Sequence, residues 1–406
     1  MRKKNSGLFA PFIFLIILIL MVCFPNTSYN AAKRGVDIWF NNVFPALLPF
    51  FIGTEILTGL GIVHFLGALL EPIMYPIFNI PGVGSFAYAM SITSGYPMGA
   101  KITAELRDKG LCSREEGQRL LALCSTSGPL FMIGAVAIGM FNDATLGIMI
   151  MLSHYIGSIF TGIIFRNYGS KKNLSSYNKK TSNLFDSIRV ARKEDGRKLG
   201  ELLGDAVKNS INTLLIIGGF IILFSVIIEL SLTIKLLDFL ALAISPLFHF
   251  ANASSLIIKG LLSGLVEITN GVNIISQTTD SIMLQGVLTS FIIAWGGLSI
   301  HAQAISLISK TDLKVLPYLV SKILHGLFSG ISCYYLMRSL FPYFQKRTVP
   351  TFLGNNAHYF PQLTWYNKLL LSLNFCISIL SILILVGFSI YVYLKFKYKI
   401  KKIKKS

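Results

Sequence analysis

Residues 83–110 run VGSFAYAMSITSGYPMGAKITAELRDKG, and residues 254–280 run SSLIIKGLLSGLVEITNGVNIISQTTD. Each starts apolar, passes through a glycine-rich polar middle and ends polar. Neither can supply the roughly 20 apolar residues of a helix that crosses a bilayer. Both are therefore expected to form two half-helices meeting at an irregular turn, a re-entrant hairpin. Irregular backbone at membrane depth is tolerated only where protein or a water-filled cavity surrounds it, so the hairpins require a polytopic surround.

That surround is legible on both sides of each hairpin. Apolar runs able to cross lie at 8–24, 36–61, 120–141, 144–165, 209–230, 282–308, 315–341 and 369–394, about eight full membrane crossings. Residues 62–80, with His64, Glu71, Pro72 and Pro76, and residues 233–250, with Lys235, Asp238, Pro246 and His249, suit interfacial helices instead. The same order occurs twice: crossing, interfacial helix, hairpin, crossing with a glycine break, crossing. An offset of 169 lays Ser94-Gly95 on Ser263-Gly264, Gly128 on Gly297 and Asp143 on Asp312. Three crossings separate the starts of the two units, so they face opposite ways. The expected fold is an all-α polytopic membrane protein of two inverted repeats, an architecture that holds substrate near the midplane between the repeats. Its expected parts are an N-terminal signal-anchor helix and external loop (1–35), a first repeat (36–165), a basic cytoplasmic loop (166–208), a second repeat (209–341), and an external loop, last crossing and basic cytoplasmic tail (342–406).

Composition agrees. Of 406 residues 53% are hydrophobic and 14% charged, against about 25% charged in a soluble domain, which excludes a disordered chain, a coiled coil and an ordinary soluble enzyme. Lys and Arg number 37 against 18 Asp and Glu. Most of the surplus lies in Arg2–Lys4, in Arg166–Lys208 and in the tail from Lys395 to Lys405. Basic blocks flanking apolar runs mark the cytoplasmic side, so both termini are expected there, with Lys33 and Arg34 left outside. The lipid bilayer is the expected partner of the tail, and nucleic acid is not, because no recognition module accompanies the charge. A homo-oligomer is left open.

The chemistry is expected at the irregular turns. In the first hairpin Ser94, Gly95, Tyr96, Pro97 and Lys101 surround the turn, and a half-helix N-terminus there attracts an anionic or carbonyl group. In the second, Glu267 lies in an apolar segment, where a carboxylate costs about 2.5–3.5 kcal/mol. With Thr269 and Asn270 it can bind substrate, hold a cation or carry a coupled proton; the alternative is a carboxylate that caps a half-helix. Ser125, Thr126, Ser127 and Gly128, ahead of Pro129, form an oxygen-rich break suited to Na⁺. Ser299, His301 and Gln303 interrupt the apolar run 282–308, with Ser299 and Gln303 on one face and His301 turned away. His154 and His325 hold similar places in the two units, and Ser113 can cap the helix carrying Glu115, Glu116 and Arg119. No metalloprotease, serine-hydrolase or phosphate-loop motif is present, so no enzyme and no cofactor is expected beyond Na⁺ or a proton as coupling ion.

The runs SGYPMGAK at 94–101, SGPLF at 127–131 and GLVEITNG at 264–271 resemble the YlbJ-type sporulation integral membrane proteins. That family carries a nucleoside-recognition (gate) domain and is similar to concentrative nucleoside transporters. The resemblance implies a secondary-type transporter in a spore-forming bacterium, made in the mother cell and passing dipicolinic acid across the outer forespore membrane. It also implies that both hairpin tips and both broken helices bind the small-molecule substrate. Transport of nucleosides or another small polar metabolite is one alternative, and a non-transport membrane scaffold for sporulation is another.

Overall fold

The computed structural model describes residues 9–169 and 184–341. These are helical, with no strand among the described residues. The expected crossing at 369–394 and the basic tail lie outside the described residues.

Helix α1 (Phe9–Cys23) stops at Phe24, and Pro25, whose missing N–H is harmless in a first turn, opens α2 (Pro25–Ile38). A π-helical turn at Trp39–Val43 joins α2 to α3 (Phe44–Gly59). Gly61, at φ 84°, then turns the chain into the short α4 (Ile62–Ile73). The first hairpin follows as α5 (Gly84–Ser94) and α6 (Met98–Asp108). Next come α7 (Arg114–Cys124), a nonhelical break, a π-helical segment Phe131–Ile138, and α8 (Ala144–Phe165). Ser113 caps α7 as expected: its hydroxyl accepts from the Glu116 amide at 3.2 Å while Glu116 accepts from the Ser113 amide at 2.8 Å.

After α9 (Leu184–Asp195) the order of elements returns. It comprises α10 (Leu199–Thr233), the short α11 (Leu236–Ile244), the hairpin α12 (Ser255–Val266) and α13 (Ile268–Ser276), the broken pair α14 (Ile282–Trp295) and α15 (Gly297–Ile308), and α16 (Val315–Ser339).

Among the described residues, five segments are long and apolar enough to cross a membrane: Pro25–Gly59, Ala144–Phe165, Leu199–Thr233, Ile282–Ile308 and Val315–Ser339. Of the run at 8–24, residues 9–23 form α1. The run at 120–141 is divided, because α7 ends at Cys124 and Pro129 cannot continue an α-helical hydrogen-bond ladder.

Lipid is as apolar as leucine, so helix association here depends on close packing and interhelical hydrogen bonds. Gly157 of α8 lies against Ser329, and Gly326 of α16 against the Phe291 ring. Ser153 and Ser290 hydroxyls pair at 2.9 Å between α8 and α14. Helices α8 and α16 run antiparallel: His154 meets His325, while Leu146 and Met337 meet beside Gly286. Helix α10 likewise runs antiparallel to α2 and α3. Arg34 pairs with Glu229 at 2.7 Å, Trp39 Nε1 donates to the Leu214 carbonyl at 3.0 Å, and Asn209 donates to Glu55 at 3.0 Å.

The two halves are also tied at one end. Arg107 donates to both carboxylate oxygens of Asp312, at 2.8 and 2.9 Å, and Gln118 exchanges hydrogen bonds with the backbone of Lys314. Asp143 has a different task, capping α8 through the amides of Thr145 and Leu146.

Candidate functional site: two hairpin tips and a helix break on one cavity

The first tip is built from backbone. Gly95, at φ 70° and ψ −157°, ends α5, the Tyr96–Pro97 peptide is cis, and Pro97 precedes α6. Gly95 lies directly on Gly128 of the α7 break, so that an added Cβ would stand 2.5 Å from the Gly128 nitrogen. Ser91 reinforces this contact: its hydroxyl bonds the Cys124 carbonyl and pairs with the Thr126 hydroxyl at 2.5 Å.

The second tip turns on one residue. Glu267 is extended, ends α12 and caps α13. Its Oε2 accepts from the Asn270 amide at 2.7 Å and from Asn270 Nδ2 at 3.0 Å. Asn270 faces α10, where its Oδ1 accepts from the Ser225 hydroxyl at 2.7 Å and its Nδ2 donates to the Ile221 carbonyl at 3.2 Å. This tip sits on the other helix break: Trp295 Nε1 donates to the Leu265 carbonyl at 3.0 Å, and Gly297, at φ 68°, packs on Val266 and Glu267. Only a glycine meets both demands, a left-handed φ and a backbone within contact distance.

Three of the irregular segments, and helix α15 beyond the fourth, converge on a cavity of about 70 Å³. Ser94, Gly95 and Tyr96 come from the first tip, Ser127 and Gly128 from the first break, Glu267 and Thr269 from the second tip, and Gln303 from α15. Phe50 and Phe51 of α3, Phe131 and Ile300 add apolar walls. The remaining residues singled out in the sequence lie elsewhere. Lys101 is exposed on α6 and does not line the cavity. Ser299 is buried outside the cavity lining, and His301 turns toward α16, with Nδ1 3.0 Å from the Tyr318 hydroxyl. Ser125 and Thr126 point their hydroxyls at Leu121 and Ser91.

Behind the first tip stands Lys322, on α16 and fully buried, which the sequence reading passed over. Its Nζ donates to the Tyr96 hydroxyl at 2.7 Å and to the Ser125 carbonyl at 2.7 Å, and lies 3.4 Å from His325 Nδ1. Tyr96 in turn donates to the Ile293 carbonyl at 3.1 Å, on α14. The rule that picks out Glu267 picks out Lys322 as well: an ionisable side chain within an apolar crossing is costly and marks function.

The fold and this cavity define a polytopic helical membrane protein in which paired helical hairpins abut paired helix breaks. A family model described as "Gate: Nucleoside recognition" matches residues 40–171, which include the first hairpin and the first break. The sporulation integral membrane protein YlbJ of Bacillus subtilis (strain 168) is 40% identical over 347 residues, covering 84% of this chain and 85% of that protein. The chain belongs to the family of YlbJ-type sporulation integral membrane proteins. No solved structure matches it.

Proposed function

We propose that the protein is a secondary-type transporter that moves a small polar molecule by alternating access, with the cavity lined by the two tips, the first break and α15 as its substrate site. The convergence on that cavity of both hairpin tips, the first helix break and the helix that follows the second break carries the reading, because transporter sites are formed where discontinuous helices meet near the midplane. The antiparallel pairings of α3 with α10 and of α8 with α16 support an inverted relation between the halves. On this reading α5–α6 and α12–α13 are re-entrant hairpins, α4 and α11 lie in the membrane interface, and both termini face the cytoplasm.

The substrate we favour is dipicolinic acid, passed across the outer forespore membrane. Its planar ring suits walls carrying Phe50, Phe51 and Phe131, against which aromatic rings pack edge-on or offset. Ser94, Ser127, Thr269 and Gln303 offer hydrogen bonds to its carboxylates. Among the described residues Lys and Arg do not line the cavity whereas Glu267 does, so the dicarboxylate enters with its charge offset by a proton or a cation. The test is uptake by the purified full-length protein in proteoliposomes, comparing dipicolinate with nucleosides under imposed ion gradients. Saturable dipicolinate uptake is expected; nucleoside uptake alone would reassign the substrate, and no uptake of either by folded protein would overturn the transporter reading.

A further inference from the structure

We propose that the Lys322 ammonium is a tethered cation occupying the place a coupling Na⁺ would take at the first helix break, so that the protein binds no Na⁺ there and transports without a Na⁺ gradient. The last clause rests on the transporter reading; the site itself does not.

The surroundings of Nζ are those of a cation. Helix α7 ends at Cys124, and the Ser125 carbonyl follows it, at the end of the helix where unpaired carbonyls and the macrodipole favour positive charge. Through Tyr96, the same centre reaches the Ile293 carbonyl in the last turn of α14. Two half-helix C-termini thus converge on one point, the arrangement by which broken helices hold a coupling ion.

Hydrogen-bond bookkeeping matches an ammonium with three donors. The Ser125 carbonyl can only accept. The Tyr96 hydroxyl, having given its proton to Ile293, accepts from Lys322. His325 Nε2 lies 2.9 Å from the His154 carbonyl and must carry the proton that makes this bond, which leaves Nδ1 as an acceptor facing Nζ. No carboxylate pairs with Lys322 among the described residues. Its charge is therefore balanced by dipoles, as a bound metal ion's would be.

The other groups of the expected Na⁺ cage are held in place by hydrogen bonds of their own. The Ser125 hydroxyl donates to the Leu121 carbonyl at 2.8 Å, the Thr126 hydroxyl pairs with Ser91, and the Ser127 carbonyl accepts from the Tyr155 hydroxyl at 3.2 Å. The Ser127 amide donates to His154 Nε2 at 2.9 Å. A soluble ion would have to displace Lys322 from the Ser125 carbonyl and the Tyr96 hydroxyl.

The experiment follows thermal unfolding of the purified full-length protein while NaCl is replaced by KCl or choline chloride at constant ionic strength. The wild type is expected to show no Na⁺-specific shift. Lys322→Ser, which removes the ammonium and leaves an oxygen-lined hole, is expected to unfold at lower temperature. It should also gain a saturable stabilisation by Na⁺ or methylammonium that choline does not give. A saturable Na⁺-specific rise in the wild type would overturn the proposal, and this titration decides the matter if the serine variant does not fold. Lys322→Met with wild-type stability and no loss of uptake would also overturn it. In proteoliposomes, dipicolinate uptake is expected at equal rates in Na⁺ and choline. Na⁺-dependent uptake contradicts the tethered cation, whereas a lack of all uptake contradicts the transporter reading and leaves the ion titration to judge this one.

Discussion

One methyl group, placed on either of two touching glycines, should separate a functional tip from a packing bend. Gly95 has φ 70° and ψ −157°, a conformation that costs any residue with a side chain about 1–3 kcal/mol. In Gly95→Ala the new Cβ would also stand 2.5 Å from the Gly128 nitrogen and 3.1 Å from its Cα, backbone atoms that cannot swing aside. In Gly128→Ala the nearest atom of the same contact is the Gly95 nitrogen at 3.5 Å, an ordinary van der Waals distance. The first change can relieve its overlap only by withdrawing the tip from the break. Tyr96 then leaves both Lys322 and the Ile293 carbonyl. At about 1.4 kcal/mol per decade, the backbone cost alone disfavours the seated tip roughly 5- to 150-fold. Both variants are to be compared with wild type by thermal unfolding in detergent and by initial uptake rate in proteoliposomes. Gly95→Ala is expected to insert, unfold at lower temperature and lose at least about nine-tenths of transport, while Gly128→Ala stays near wild type. Equal behaviour of the two variants in both assays would refute the assignment of Gly95 as the seat of the tip.

Glu267→Gln keeps a carbonyl oxygen able to cap α13 but removes the charge and the proton capacity; it is expected to insert, lose about 0.5–2 kcal/mol of stability and abolish uptake, which the same two assays measure. Tyr96→Phe takes an acceptor from Lys322 and leaves the Ile293 carbonyl without its donor, a cost of about 1–3 kcal/mol readable as a lower unfolding temperature. The Arg107 guanidinium holds the Asp312 carboxyl below its ordinary value by hydrogen bonding. Because the folded-state value is lowered, the pair's contribution is present above about pH 4 and fades as pH falls through the folded-state value. Asp312 is half exposed, so Arg107→Met is expected to cost under about 1 kcal/mol at neutral pH and to match wild type in acid, as followed by unfolding temperature against pH. Removing residues 397–406 is expected to spare transport in proteoliposomes, whereas a scaffold working through its basic tail would lose its role in sporulation.

Much of the core could be seen in the sequence because backbone irregularity leaves marks. Gly95 and the pair Gly296-Gly297 sit where helices α5 and α14 end, Pro97 and Pro129 where the next helical segments begin, and Glu267 where α12 ends. These residues either permit conformations that others resist or interrupt a helix, so their positions announce the turns. Register was less legible. The offset of 169 was anchored on common glycines, yet His154 and His325, which meet between α8 and α16, are 171 apart, and the second tip turns at Glu267, not at Gly264. Lys101 drew attention by its charge beside a motif, but a lysine early in α6 can lie on an exposed face, and it does. Lys322 escaped notice for the opposite reason. It carries no motif, and its partners, Tyr96 and the Ser125 carbonyl, are about 200 residues away in the chain. Only packing α16 against α7 and the first tip brings them together.

The most direct test of the account is protection of the cavity by substrate. In a background with the native cysteines replaced, Gln303→Cys places a thiol on the cavity wall and Lys101→Cys places one on the exposed face of α6. Labelling by a water-soluble thiol reagent is then followed with and without dipicolinate. Dipicolinate is expected to slow labelling at 303 in a saturable way and leave 101 unchanged. Equal labelling of 303 with and without a substrate that the same preparation transports would contradict the claim that this cavity is the substrate site.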